Sequence, residues 1–441
     1  MAVGHTLAKR VAFLSVLGNR DFRVYSIGLV SSVLGQQMLI ATQAWLVYYL
    51  TGSPAALGLV GAVHAIPGLA VTLIGGALAD RWNPRHIILA AQSSSAVVMG
   101  TLATLVVIDR VEVWHIVIAS FLTGIAQAFD SPARRTVWPP MIRRDQFMYA
   151  ISITQTVWNG TRIIAPGMAG LIIATVARTS GEGPQGAGIS LYFTFAGFLT
   201  MAIAMSMIRL PPQSRSTGAS VFHDIADGLR FVVRNRVYTY LLGISLASGY
   251  FGLSYMWLMP VFAEEYLHVN AGGYGVLLSV GGMGAMTGVL SVASFGQYQD
   301  RPWLLIGGAF FGGSLVVVFS ITSAIYESYT LALFLMFWMG ASFAVFQVAT
   351  GTTVNLLVPD EYRGRVLGLR GIMFSLAPLG SLQAGLIATA TNTPLAVGIG
   401  GAVLAVFALA TYVASPDIRN LQALVAKATE EHTRRAAERA P

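Results

Sequence analysis

The sequence is organised by residues 75–85, which read Gly-Gly-Ala-Leu-Ala-Asp-Arg-Trp-Asn-Pro-Arg and join two long apolar runs. A related turn at 296–301 reads Gly-Gln-Tyr-Gln-Asp-Arg, and its glycine follows Gly76 by 220 residues. The same offset pairs three further residues: Gln127 with Gln347, Pro139 with Pro359, and Arg143 with Arg363. Repetition at one offset, between hydrophobic segments, predicts two homologous halves of a membrane bundle.

The composition is that of a membrane protein. Of the 441 residues 55% are hydrophobic and only 10% are charged, and the mean hydropathy is +0.66. Soluble domains carry about 25% charged residues. The 47 glycines are typical of helices that pack closely. Cysteine is absent, which excludes disulfides, thiolate metal sites and cysteine catalysis. Because residues 1–23 are polar and basic, we expect no cleavable signal peptide.

Twelve segments are long enough to cross a bilayer core, which needs about 20 apolar residues. They are residues 24–50, 54–78, 86–108, 113–134, 147–176, 189–208, 238–262, 273–295, 302–324, 328–352, 366–390 and 394–414. The prediction is therefore an all-α integral membrane protein with twelve transmembrane helices in two pseudo-symmetric six-helix bundles. The bundles are 24–208 and 238–414, with an N-terminal segment 1–23, a linker 209–237 and a tail 415–441.

The basic residues predict the orientation. If the N-terminus is cytoplasmic, 24 of the 27 Lys and Arg lie on the cytoplasmic side. Only Arg110 and Arg178 lie outside, and Arg162 lies within a span. This asymmetry predicts that both termini are cytoplasmic, and it accounts for the +8 net charge without nucleic acid as a partner.

The linker contains a basic amphipathic segment. Its apolar residues share one helical face, and Ser220 is placed to cap the helix. The apolar residues are Phe222, Ile225, Leu229, Val232 and Val233, and the basic ones are Arg230, Arg234 and Arg236. We expect this helix to lie on the inner membrane surface beside anionic lipid. The alternative is a solvated linker helix. For the tail we expect a cytoplasmic helix or a frayed extension, and we assign it no role.

The motif Gly76-x-x-x-Asp80-Arg81-x-x-x-Arg85 resembles the loop between the second and third helices of the major facilitator superfamily. The copy at Gly296, Asp300 and Arg301 occurs where that family repeats the motif. Asn83-Pro84 departs from the Gly-Arg that the family usually has. The resemblance implies a secondary transporter of the bacterial inner membrane whose two bundles rock around a central site.

Three stretches resemble the branch that contains enterobactin and macrolide efflux proteins: residues 19–23, 129–134 and 162–170. The last is similar to an element associated with antiporters, although Ala165 and Ala169 replace two glycines. This resemblance implies a monomer that exports an amphipathic drug, metabolite or siderophore, with protons as the coupling ion and no cofactor.

The superfamily resemblance also implies a gating latch. Asp80 would face the start of the eleventh helix, where unpaired N–H groups carry partial positive charge. Arg81 and Arg85 would pair with Asp130, and Asp300 with Arg301 would repeat the arrangement. The alternative is that these charges only anchor short loops among lipid headgroups.

Other polar residues within spans are candidates for the transport site. An arginine at mid-membrane costs about 2.5–3.5 kcal/mol, so Arg162 should face a cavity or a partner. It would contact an anionic substrate group or tune a carboxylate, or else hydrogen-bond carbonyls freed by Pro166. The further substrate-binding candidates are Gln36, Gln37, Asn159, Trp338 and Gln347. Aromatic residues in spans also serve as packing or interface anchors.

Asp130 and His64 are the proton-coupling candidates. Asp130 is a carboxylate well within a span, and histidine titrates near neutral pH. A lone histidine on an apolar helix is also commonly a structural hydrogen-bonding group. The first span carries Gln36, Gln37 and Gln43 in place of an acidic residue.

Enzyme chemistry has no support in the sequence. There is no Walker-type phosphate loop, no histidine and glutamate cluster with metal-ligand spacing, and no Ser/His/Asp arrangement. Three hypotheses stay open: a proton-coupled exporter, an importer or facilitator of a small polar solute, and a non-transporting scaffold or sensor.

Overall fold

A computed structural model describes residues 16–74, 83–181, 183–208, 221–294, 303–427 and 430. Within these ranges the regular structure is helical and there is no β-strand. In the same ranges, eleven helical segments are long and apolar enough to cross a membrane, and Pro54–Leu69 is a shorter apolar helix. Where the twelve predicted segments are described, each coincides with a helix or a helix pair, so the predicted all-α membrane fold is confirmed.

Six helices form the first half of the chain. They are α1 (Arg20–Thr51), α2 (Pro54–Ile74), α3 (Pro84–Val107), α4 (Val113–Val137), α5 (Phe147–Ser180) and α6 (Gln185–Met207). Helix α1 packs along α6 and α5, and α3 packs along α6 and α4. Their apolar core includes Phe22, Leu29, Met201 and Met205, which are all buried.

The second half contains more helices because two of its spans are interrupted, and because the linker helix and a short helix after the last span are added. The helices are α7 (Val221–Arg234), α8 (Arg236–Ala247), α9 (Tyr255–Val261), α10 (Ala271–Ser294), α11 (Trp303–Tyr326), α12 (Tyr329–Leu357), α13 (Asp360–Ser375), α14 (Ala377–Ala390), α15 (Thr393–Ala414) and α16 (Pro416–Arg419). Helix α11 packs along α15 and α12, and α14 packs along α15.

The chain forms two compact units. The first unit contains α1, α3 to α6, the part of α2 from Val63 onward, and residues 270–279 at the start of α10. The second contains residues 52–62 and the chain from Ser220 to its end, apart from 270–279. Helices α2 and α10 therefore each contribute to both units.

Local sequence signals place several helix starts. Asn83 accepts a hydrogen bond from the Arg85 N–H at 3.0 Å, and Pro84 occupies the first helical position of α3. Asn392 accepts from the Leu395 N–H at 2.8 Å at the start of α15. Such caps satisfy N–H groups that have no partner within the helix, so these helices begin where their sequence directs.

The seventh and eleventh spans are less regular than their apolar patterns predict. Residues Ser248–Gly252 and Phe262–Tyr266 form π-turns on either side of α9, and the Leu253 N–H donates to the Ser248 carbonyl at 3.1 Å. The eleventh span breaks at Leu376, just before α14. π-Turns and helix breaks of this kind occur frequently at functional sites.

The predicted linker helix is present as α7, although Ser220 lies outside the described residues. Its apolar face is divided. Val232 is buried, whereas Leu229 and Val233 are exposed. The exposed pair is available to lipid, and contact with anionic lipid remains a prediction.

Helix α7 docks on α13, which a merely solvated linker helix would not do. The ring of Phe231 stacks on Tyr362 with centroids 4.2 Å apart. Asp227 forms an ion pair with Arg365 of α13 at 3.8 Å and with Arg230 of its own helix at 3.3 Å. The linker therefore holds the first half of the eleventh span.

Candidate functional site

A line of polar side chains runs along one face of α4 within the first unit. Their spacing of three, four and seven residues places them on one side of a helix. They are Ser120, Thr123, Gln127, Asp130 and Arg134. On α1, Ser32, Gln36 and Gln43 are similarly aligned. We call the polar seam Ser32, Gln36 and Gln43 of α1, His64 of α2, Gln92 of α3, and Ser120, Gln127, Asp130 and Arg134 of α4.

One end of the polar seam is a buried ion pair. The Arg134 guanidinium donates through Nε to Asp130 Oδ2, one helical turn away. Asp130 is 5% exposed and Arg134 is 8% exposed. Arg134 Nη2 also donates to Ser32 Oγ at 2.7 Å, and Ser32 Oγ donates to Gln92 Oε1 at 2.9 Å. The pair is thus connected to α1 and α3.

This ion pair is incompletely satisfied. Asp130 Oδ1 and Arg134 Nη1 are buried, and neither has a hydrogen-bond partner among the described residues. A buried charge is tolerated when its lone pairs and protons are bonded, and leaving them open is costly. Among the described residues, the pair therefore has one open acceptor oxygen and one open donor nitrogen.

The other end of the polar seam joins α1, α2 and α4. The Gln43 amide donates to Ser120 Oγ at 3.1 Å. His64 Nδ1 lies 3.2 Å from the Ser120 carbonyl oxygen. Because a carbonyl only accepts, Nδ1 carries a proton and Nε2 of the neutral ring is an acceptor. The close approach requires Gly124, since a Cβ there would collide with the His64 carbonyl oxygen.

Two amide side chains lie between the two ends of the polar seam. Gln36 and Gln127 are half-buried, and neither forms a hydrogen bond with another described residue. Half-buried amides normally find partners, in the protein or in water. The centre of the polar seam therefore offers unused donors and acceptors to water, a proton or a substrate.

The predicted pairing of Arg85 with Asp130 is not what the structure contains. Arg85 Nε donates to the Met205 carbonyl and its Nη2 donates to the Ser206 carbonyl, both at 2.8 Å. These carbonyls end α6 and have no partner within that helix. Arg85 therefore caps a helix C-terminus, and Asp130 pairs with Arg134 instead.

The remaining members of the predicted latch lie outside the described residues. They are Asp80, Arg81, Asp300 and Arg301. Their gating role stays a prediction.

Helix α5 carries a second polar face. Ser152, Gln155, Asn159 and Arg162 follow one another at three- or four-residue intervals. Arg162 is exposed and forms no hydrogen bond or ion pair with a described residue, so its predicted alternative contact to carbonyls near Pro166 is absent there. Asn159 Nδ2 donates only to the Gln155 carbonyl, at 2.9 Å. The guanidinium is therefore available to a ligand.

The two candidates on the tenth span do not share a site. Trp338 and Gln347 are nine residues apart on α12, which places them on opposite faces. Gln347 accepts from Arg370 Nη2 of α13, through its carbonyl at 3.2 Å and its Oε1 at 3.4 Å. Trp338 instead lines an apolar groove with Trp303 of α11. Gln37 of α1 is half-buried without a hydrogen bond to a described residue.

Sequence reasoning missed the residues that complete the ion pair. Arg134 is one of the 24 basic residues predicted to lie on the cytoplasmic side, although it follows Asp130 by one helical turn, a spacing that favours an ion pair. No sequence signal singles out Ser32 or Gln92, and Arg370 is predicted only as one of the cytoplasmic charges. Their partners are distant in sequence, so no local signal identifies them. Among the described residues, no group of three His, Asp or Glu is arranged to hold a metal.

Comparison with known proteins places this geometry in a family. The family model described as transmembrane secretion effector matches residues 12–436. The multidrug efflux pump Tap of Mycolicibacterium fortuitum is 27% identical over 81% of this chain and 87% of its own length. Macrolide efflux protein A of Streptococcus pyogenes is 23% identical over 80% and 87%. The enterobactin exporter EntS of Shigella boydii is 24% identical over 90% and 91%.

Solved structures agree on the fold. The nucleoside transporter NupG superimposes with a TM-score of 0.68 at 13% identity, covering 89% of this chain and 98% of its own. A bacterial homologue of the lysosomal transporter Spinster gives 0.66 at 14% identity, covering 92% and 97%. The family match over nearly the whole chain, together with the helical fold, makes this protein a transporter rather than an enzyme. It belongs to the transmembrane secretion effector family of the major facilitator superfamily.

Proposed function

We propose that this protein exports amphipathic small molecules across the bacterial plasma membrane by proton antiport. Three relatives support export, since their names describe multidrug efflux, macrolide efflux and enterobactin export. The predicted halves 24–208 and 238–414 would alternate access to a central site, with both termini cytoplasmic and the protein acting as a monomer.

The observation that carries proton coupling is the buried pair of Asp130 and Arg134. While Asp130 is ionised, it neutralises Arg134. A proton that binds the open Oδ1 removes that charge, and Arg134 then loses its counter-ion. A buried guanidinium without a counter-ion is strongly unfavourable, so protonation favours a rearrangement of α4 against α1. Release of the proton from Oδ1 restores the pair.

The rest of the polar seam supplies a path for the proton. His64 presents Nε2 as an acceptor at the far end, and Gln43 with Ser120 fixes the imidazole. Gln36 and Gln127 lie between His64 and Asp130 with free amide groups. Water bridging these amides would connect the two titratable groups.

We assign substrate contact to polar groups of α5 and α1. Arg162 and Asn159 on α5 present a cation and an amide, and Gln36 and Gln37 on α1 present two further amides. Arg162 would bind an anionic or strongly polar group of the substrate.

Inside-out membrane vesicles provide the test. With the vesicle interior acidified, a macrolide or a cationic dye should accumulate in vesicles containing the protein, and a protonophore should abolish the accumulation. Asp130→Asn vesicles should show no gradient-driven accumulation. Accumulation that persists without a pH gradient would contradict proton antiport.

The runner-up is an importer or facilitator of a small polar solute, which the unbonded glutamines of α1 favour. Solute accumulation in right-side-out vesicles, without accumulation in inside-out vesicles, would establish it. A scaffold or sensor would move no solute in either orientation.

A further inference from the structure

Two apolar grooves flank α11 near its start. The wide groove encloses about 640 Å³ and is lined by α10, α11 and α12, with Ser291, Phe311, Trp338 and Val345 among its residues. The narrow groove encloses about 330 Å³ and is lined by α11, α15 and the residues that follow α15. Both lie within the second unit.

The two grooves share one wall. Trp303 and Gly307 line both of them. The indole of Trp303 lies over Gly307, where an added Cβ would be 3.7 Å from the ring. Because Gly307 has no side chain, only the α11 backbone and this indole separate the grooves there. The wide and the narrow groove are therefore adjacent, and they meet at Trp303.

A cation marks the end of the narrow groove. Arg419 and Gln422 line it beside Tyr412. Arg419 is exposed, and its guanidinium forms no hydrogen bond or ion pair with any other described residue. The distribution of arginines predicts that this end of α11 faces the cytoplasm, and exposed Trp303 and Tyr412 are typical of the membrane interface. Two apolar grooves beside the exposed guanidinium of Arg419 complement a lipid with two acyl chains and a negatively charged headgroup.

We propose that this grooved face of α11 is a binding site for one anionic phospholipid of the cytoplasmic leaflet. One acyl chain occupies the wide groove and the other occupies the narrow groove, on either side of Trp303. Arg419 binds the headgroup phosphate, with Gln422 as a second hydrogen-bond donor. Basic pockets between transmembrane helices on the cytoplasmic side recognise such headgroups. Trp338 then contacts lipid rather than the transported substrate.

This assignment is independent of the proposed export activity. It uses only residues of α10 to α12, of α15 and of the segment after it, none of which belongs to the polar seam. The segment after α15 is anchored to the protein. Its residues Ile418, Leu421 and Val425 are buried, and Ser415 Oγ accepts a hydrogen bond from the Ile418 N–H at 3.3 Å. The backbone of Arg419 is therefore held beside the groove.

Native mass spectrometry of the purified protein tests the proposal, with phosphatidylglycerol and phosphatidylethanolamine titrated separately. Wild type should bind one phosphatidylglycerol about fivefold more tightly than phosphatidylethanolamine, the factor expected from one arginine near an anionic lipid surface. Arg419→Gln should reduce this preference to near unity. Lys427→Gln removes one exposed charge from the same tail without lining a groove, so it should retain the preference.

A second variant tests the grooves themselves. Gly307→Leu fills the wall between them and should weaken binding of both lipids, with the thermal midpoint in detergent reporting whether it folds. Inorganic phosphate should not raise that midpoint in wild type. The proposal is overturned if Arg419→Gln keeps the wild-type preference, if wild type shows none, or if a cationic dye displaces phosphatidylglycerol and so occupies the grooves itself.

Discussion

The two halves of the chain share their helix contacts but not their polar chemistry. At the offset of 220 residues, Gln127 corresponds to Gln347, whereas four other residues of the polar seam correspond to smaller or apolar residues. Asp130 corresponds to Thr350, Arg134 to Val354, His64 to Gly284 and Gln43 to Ala263. A duplicated scaffold therefore folds without these charges in its second copy. We therefore propose that the ion pair of the first half serves transport rather than helix packing.

The shared part is a pair of close helix contacts. In the second unit a Cβ at Gly61 of α2 would lie 2.9 Å from Ser381 Oγ of α14. In the first unit a Cβ at Gly167 of α5 would lie 2.9 Å from Ser279 Oγ of α10. Both pairs join helices that are distant in sequence. We propose that both contacts open and close during transport.

The largest effect is expected from locking these contacts. Gly61→Cys/Ser381→Cys and Gly167→Cys/Ser279→Cys should each form a disulfide, because the separations are near what that bond requires. Export should stop under oxidising conditions and recover with a reductant. The chain has no native cysteine, so each single variant is a clean control. Full transport by an oxidised, cross-linked protein would show that the contact does not move.

The next largest effect is expected on stability, at the ion pair that only the first half contains. Arg134→Leu leaves Asp130 as a buried charge without a partner and should lower the unfolding free energy by about 3–5 kcal/mol. The double variant Asp130→Asn/Arg134→Leu should recover most of that loss. Chemical unfolding in detergent, followed by tryptophan fluorescence, measures both. If the single and double variants are equally destabilised, the loss comes from packing rather than from charge.

The matched glutamines provide a smaller effect. Gln127→Leu removes an amide without a hydrogen bond from the polar seam and should slow export several-fold while leaving stability unchanged. Gln347→Leu should slow export less, because the Gln347 carbonyl still accepts from Arg370. Initial rates of dye export compare the two. Equal reductions of the export rate in the two variants would contradict a functional difference between the halves.

The smallest effect is expected at the linker. Asp227→Asn breaks a partly exposed ion pair with Arg365, and such pairs contribute about 0–1 kcal/mol. The thermal midpoint should therefore barely move, since the stacking of Phe231 on Tyr362 still holds α7. Phe231→Ala is the contrasting variant and should lower the midpoint more. If Asp227→Asn lowered the midpoint more than Phe231→Ala, the ion pair rather than the aromatic stacking would hold α7 on α13.

Most of the fold follows from the sequence, whereas the site follows only in part. Apolar runs of sufficient length predict the spans, because a bilayer requires that every backbone group be bonded within a helix. Asp130 and His64 stand out because polar groups are rare in such runs. Their hydrogen-bond partners do not stand out in the sequence, because serine is a common residue. Ser32 and Ser120 can be recognised as partners only once the packing of α1, α2 and α4 is known.

Two irregularities show the same limit. Apolar periodicity records neither the helix break at Leu376 nor the π-turn at Ser248–Gly252. The break has a local signal in Pro378, at the start of α14, whereas the π-turn has no such signal in its apolar pattern. The pairing of Arg85 was mispredicted for a related reason. A guanidinium binds carbonyls as well as carboxylates, and the end of α6 lies closer to Arg85 than the sequence reveals.

One measurement tests the central claim most directly: the proton movement that substrate addition triggers in proteoliposomes. Wild type should release protons on addition of a transported macrolide or dye, and so should Thr350→Val, the matched change in the second half. Asp130→Asn should let substrate equilibrate without moving protons. Proton movement by Asp130→Asn at the wild-type rate would contradict the account and place the coupling group elsewhere.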